Sequence, residues 1–71
     1  MNKGVVYLMK LTRLEKDIIT CICMELTNKV IAEKLHYSEK SIEYHVKNIA
    51  GKLNVKTKVG IVVKVYQDRL I

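Results

Sequence analysis

Four times in 71 residues a threonine or serine stands directly before a run whose apolar residues recur at three- and four-residue steps: Thr12, Thr27, Ser38 and Thr57. A hydroxyl at such a place accepts from the N–H groups that the first turn of a helix leaves unbonded. The repeated pairing of a cap with a helical period therefore predicts a chain of short helices. No proline and only three glycines interrupt it, so few turns are obligatory.

The first run has Thr12-x-x-Glu15, the spacing of a capping box. Leu14, Ile18 and Ile22, then Ile19, Cys23 and Leu26, make one apolar stripe, which predicts a helix at about 13–24. Asn28 to Leu35 reads as a second helix, with Ile31, Ala32 and Leu35 on its inner face and Val30 on the outer side. His36 and Tyr37 form a turn, and Tyr37 is predicted to plug the core. Glu39 to about Leu53 is a third helix, anchored by Ile42, Val46, Ile49 and Leu53, and Asn54 suits a left-handed terminus. The fourth runs to about Arg69. Ile61, Val62 and Val65 lie on one side of it and Val59, Val63, Tyr66 and Leu70 on another. Only Gly60, Lys64, Gln67 and Asp68 form a polar strip. A monomer this small covers one side of so wide an apolar arc, so the second side predicts a two-fold homodimer through Val59, Val63, Tyr66 and Leu70.

The length suits one small domain, with residues 1–10 as an arm and 11–71 as an all-α body. A multi-domain enzyme or an attached receiver domain is not expected on a chain this short. Neither a carboxylate pair, a metal-ligand cluster, a phosphate-cradling glycine loop nor a nucleophile–base pair stands out, so no catalysis, metal or cofactor is expected. Cys21 and Cys23 point about 200° apart on a helix and are expected as free thiols of a cytoplasmic protein. No apolar run approaches a membrane span.

The formal net charge is +6. Residues 1–26 carry +1, residues 27–58 carry +4 and residues 59–71 carry +1. Such an excess suits a polyanion. Two short helices joined by a tight turn, on a basic chain, are the pattern of a helix-turn-helix. On the third helix Lys40, Glu43, Tyr44, Lys47 and Gly51 fall within one arc of about 100°, opposite the aliphatic stripe. Such a helix fits the major groove of double-stranded DNA. His45, Asn48 and Lys52 form a flank able to meet a phosphate backbone, and Gly51 removes bulk where the helix leaves the groove.

The stretch LTRLEKDIITCICMELTNKVIAEKLHYSEKSIEYHVKNIAGKLNVKTK resembles the DNA-binding domain of the LuxR/GerE family of bacterial transcription regulators. The matching positions are Leu11, Thr12 and Glu15, then Thr27, Asn28, Lys29, Ile31, Ala32 and Leu35. They continue through Ser38, Ser41, Ile42, His45, Val46, Ile49, Lys52, Leu53 and Val55. The resemblance spans about residues 11–70, and the length and initial Met look like the stand-alone GerE type. It implies a four-helix helix-turn-helix domain whose third helix enters the major groove and whose fourth pairs subunits. It implies further that Thr27, Asn28 and Lys29 meet phosphates at a helix N-terminus and that Glu43, Tyr44 and Lys47 read bases. Lys40, Ser41 and Lys58 join the DNA-facing set, Thr57 and Lys58 matching a pair that precedes the family's last helix. The function expected is sequence-specific regulation of transcription. The alternative is a module that docks on another regulator or on RNA polymerase.

The chain departs from the family at several places. Glu43 stands where a basic residue is common, Glu25 and Asn54 where glycines are usual, and Leu14 in place of a first-turn arginine. Gly60, inside the fourth helix, costs about 1 kcal/mol relative to alanine.

Overall fold

Thr12 starts the first helix as the spacing predicts. Its Oγ1 accepts from Glu15 N at 3.1 Å, and Glu15 Oε1 accepts from Thr12 N at 2.8 Å. The computed structural model describes residues 10–68. Within them lie α1 (Arg13–Cys23), α2 (Asn28–Leu35), α3 (Glu39–Leu53) and α4 (Lys58–Asp68), and no strand. The other three caps also form. Thr27 accepts from Val30 N at 3.3 Å, Ser38 from Ser41 N at 3.0 Å and Thr57 from Gly60 N at 3.0 Å. The predicted limits hold for α2 and α3. α1 stops one residue short of the expectation, and α4 reaches Asp68, where the described residues end.

The first three helices end in the same way. Glu25, His36 and Asn54 each take a positive φ, of 61°, 63° and 57°. The residue after each donates back across the last turn: Leu26 to Cys21 O at 3.2 Å, Tyr37 to Ala32 O at 2.9 Å and Val55 to Ala50 O at 2.9 Å. This six-residue closure satisfies a carbonyl the helix would leave open and reverses the chain within two residues. The next cap follows at once, so α2 and α3 are separated by His36, Tyr37 and Ser38 alone.

The core is aliphatic. Ile18, Ile19, Ile31, Ile42, Ile49, Leu53 and Ile61 have no exposed surface, and Leu11, Cys21, Ile22, Ala32 and Val65 are buried beside them. α3 packs against α1, α2 and α4, and α1 also meets α4. Burying one large aliphatic side chain is worth about 1.5–3 kcal/mol. Ile42, Ile49 and Leu53 therefore fix which side of α3 turns inward. Val46, the fourth member of that stripe, is only half-buried. Both cysteines are free thiols, Cys21 buried and Cys23 half-buried, and burial pushes the Cys23 thiol up from its ordinary range.

Two expectations change. Tyr37 does not plug the core: it is 45% exposed, because His36 turns the chain and the isoleucines already fill the interior. Gly60 is not simply a weak helix residue. A Cβ there would fall 2.9 Å from Val55 Cβ, so α4 starts against Val55 only because the side chain is missing. The polar strip of α4 is partly covered. Lys64 Nζ lies 3.5 Å from Asp68 Oδ2, and the two side chains are 22% and 14% exposed. The arm expected at residues 1–10 lies outside the described residues except for Lys10, as does Leu70.

Candidate nucleic-acid interface

α3 positions the candidate site. With Ile42, Ile49 and Leu53 held inside, Lys40, Glu43, Tyr44, Lys47 and Gly51 all stand exposed on the other side. Tyr44 is 62% exposed, a large ring with no place in the core. A Cβ built on Gly51 meets nothing within 4 Å, so that end of the face is open. Ser41 is half-buried near the start of the helix, and its N–H is held by Ser38 Oγ. Asn48 and His45 are half-buried on the flanks.

α2 contributes its N-terminus. Thr27 is spent as the cap, Lys29 is exposed, and Asn28 is half-buried with its Oδ1 enclosed and no donor meeting it. First-turn N–H groups and the helix dipole favour an anion at such an end. Lys58, half-buried at the start of α4, shares a cleft with Lys47, Gly51 and Lys56. Sequence reasoning passed over Lys56 because it sits in a loop, outside every helical period.

Lys52 is the member that does not join this surface. Its Nζ donates to Glu15 Oε1 at 2.7 Å and to Lys10 O at 2.9 Å. The Glu15 side chain is only 5% exposed, and Lys52 supplies the charge that a buried carboxylate needs. Burial pushes the Glu15 pKa up. The hydrogen bonds from Lys52 and Thr12, with the Lys52 charge, outweigh it and hold the carboxyl below its ordinary value of 4.5. The expected phosphate contact at Lys52 is therefore replaced by an internal one: a wheel puts Lys52 on the flank but does not show that α1 covers that flank.

An apolar groove runs between the end of α1 and α4, lined by Ile22, Cys23, Leu26, Val59, Val63 and Tyr66, and it reaches Thr27 and Lys58 at the border of the candidate interface. Val59, Val63 and Tyr66 are 72%, 47% and 73% exposed. Among the described residues no three or more His, Cys, Asp or Glu side chains gather as a metal site, and no helix is long and apolar enough to cross a membrane.

A short helix, a three-residue turn and a second helix with a buried aliphatic side and a free polar side define a helix-turn-helix domain. The chain belongs to the luxR family of bacterial regulatory proteins, whose GerE model matches residues 9–65. Helix-turn-helix domains of this family are DNA-binding parts of transcription regulators. The chain is 38% identical over 61 residues to the nitrate/nitrite response regulator protein NarL of Escherichia coli (strain K12), a match covering 86% of this chain and 28% of NarL. It is 48% identical over 46 residues to the uncharacterized transcriptional regulatory protein YhcZ of Bacillus subtilis (strain 168), covering 65% of this chain and 22% of that protein. The response regulator protein VraR of Staphylococcus aureus (strain NCTC 8325 / PS 47) is 34% identical over 61 residues, covering 86% and 29%. The chain thus spans less than a third of the length of these relatives.

Proposed function

We propose that this chain is a sequence-specific regulator of transcription that inserts α3 into the major groove of double-stranded DNA and acts as a homodimer joined through α4. The observation that carries the reading is the division of α3. Its aliphatic side has no exposure at Ile42, Ile49 and Leu53, while Lys40, Glu43, Tyr44 and Lys47 stand free. Lys47 can donate to guanine O6 and N7, and Glu43 can accept from cytosine N4. Thr27, Asn28, Lys29 and Lys58, with Lys56, supply a polar and basic border that suits phosphates. The exposed Val59, Val63 and Tyr66 support the dimer, which would present two α3 helices to half-sites about one turn apart.

Selection from a random duplex pool, followed by equilibrium binding, tests it. Lys29→Ala should weaken binding to every duplex alike and flatten the salt dependence. Lys47→Ala should cost about 1–3 kcal/mol mainly at one base pair. Equal losses on selected and random DNA would overturn the assignment. Sedimentation that finds only monomer at high micromolar concentration would remove the dimer. A second reading, docking on another regulator or on RNA polymerase, is supported by Val30, 42% exposed on α2, and by the carboxylate of Glu43. A failed selection beside a tight protein partner would favour it.

A further inference from the structure

Three rings meet where the turn joins the reading helix. The Tyr37 and His45 ring centroids are 6.2 Å apart with planes at 87°, and those of Tyr44 and His45 are 5.5 Å apart at 70°. Both are edge-to-face contacts at separations where aromatic pairs attract. His45, the middle ring, is half-buried, while both tyrosines are exposed. Two exposed phenols contribute little to the core, since burial is what stabilises an apolar ring.

We propose that Tyr37 and His45 are positioning residues that hold the Tyr44 ring as an apolar wedge, and that this wedge selects thymine by packing on its 5-methyl group. The proposal rests on the reading that α3 lies in the major groove. Tyr44 follows Lys40 by four residues and precedes Lys47 by three, so it shares their strip of the helix. On that strip the lysines and Glu43 offer charge, and Tyr44 alone offers a large apolar surface. Among the base edges of the major groove the thymine methyl is the apolar feature. The contact with His45 restricts the two side-chain torsions of Tyr44 before binding, which lowers the ordering cost of using it. Tyr37 braces His45 from the turn, so the turn is coupled to the base that the helix reads.

The test uses the full chain and the best duplex from a random pool, with each thymine replaced in turn by deoxyuridine, which lacks only the methyl group. One thymine per half-site should show a loss of about fourfold, the worth of one buried methyl. Tyr44→Ala should abolish that difference and Tyr44→Phe should keep it. Tyr37→Ala should reduce it to less than about twofold, and Tyr37→Phe should restore it, with an unchanged melting temperature showing that the fold is intact. Tyr37→Leu serves as the second variant if Tyr37→Ala fails to fold. Specific binding that ignores every methyl, or a methyl preference that Tyr37→Ala or Tyr37→Leu leaves intact, would overturn the proposal while sparing the DNA-binding reading. Loss of the preference in Tyr44→Phe would also overturn it, because a hydroxyl would then be the reader. A pool that yields no preferred duplex would overturn both.

Discussion

Lys52 Nζ lies 2.7 Å from Glu15 Oε1, which ties the last turn of α3 to the first turn of α1 across 37 residues of sequence. The same carboxylate oxygen accepts from Thr12 N, so the cap of one helix and the end of another share an acceptor. Each charge also suits its helix end: a carboxylate in a first turn and an ammonium in a last turn oppose the helix dipole. The site depends on this tie because α3 carries the exposed lysines and Tyr44.

Breaking the pair should expose its coupling. Lys52→Met leaves an enclosed carboxylate without its cation and should cost about 1.5–3 kcal/mol, the range for a hydrogen bond to a charged group. Adding Glu15→Gln should recover part of that loss, since the unpaired charge goes with it. Urea unfolding midpoints of the two single variants and the double variant measure the coupling. Strict additivity would show that the two side chains do not depend on each other.

Acid should act through the same carboxyl. Its pKa in the folded chain lies below the ordinary 4.5, so the stabilisation is fully present above that pH and is lost as the pH falls through the folded value. Thermal melts across that acid range should fall less steeply for Glu15→Gln than for the parent chain. Parallel curves would assign the acid sensitivity to other groups.

The two described glycines should respond in opposite directions to alanine. Gly51→Ala should gain about 0.5–1 kcal/mol, because the added methyl enters open space and helix propensity improves. Gly60→Ala should lose about 1–3 kcal/mol, because the methyl would be driven against Val55 Cβ. Denaturant titrations decide both. A gain in stability with a loss of DNA affinity for Gly51→Ala would mark this point as a close approach to the groove.

The left-handed helix ends leave room for improvement. Glu25 and His36 adopt φ values that a side chain makes costly, so Glu25→Gly and His36→Gly should each gain about 0.5–1 kcal/mol after the added freedom of the unfolded chain is subtracted. Asn54→Gly should gain least, because asparagine tolerates that conformation. Melting temperatures of the three variants give the order directly.

Much of the fold was legible because its determinants are local. Thr12, Thr27, Ser38 and Thr57 each bond a residue three positions on, and the spacings of Ile18, Ile22, Ile42 and Ile49 mark an inner side that any helix of that sequence would share. The candidate reading face followed as the complement of that side. The sequence alone did not reveal that Tyr37 would stand outside against His45, or that Gly60 would make room for Val55.

Lys47 and Lys52 show the division most plainly. They lie five residues apart on one helix and are chemically identical, yet one faces solvent and the other is bonded to a carboxylate 37 residues away. Chain order determined the four helices and the sides they bury, because capping and helical period act over three or four residues. Tertiary structure alone decided which polar groups remain free for a partner, because that depends on which neighbouring helix covers each flank.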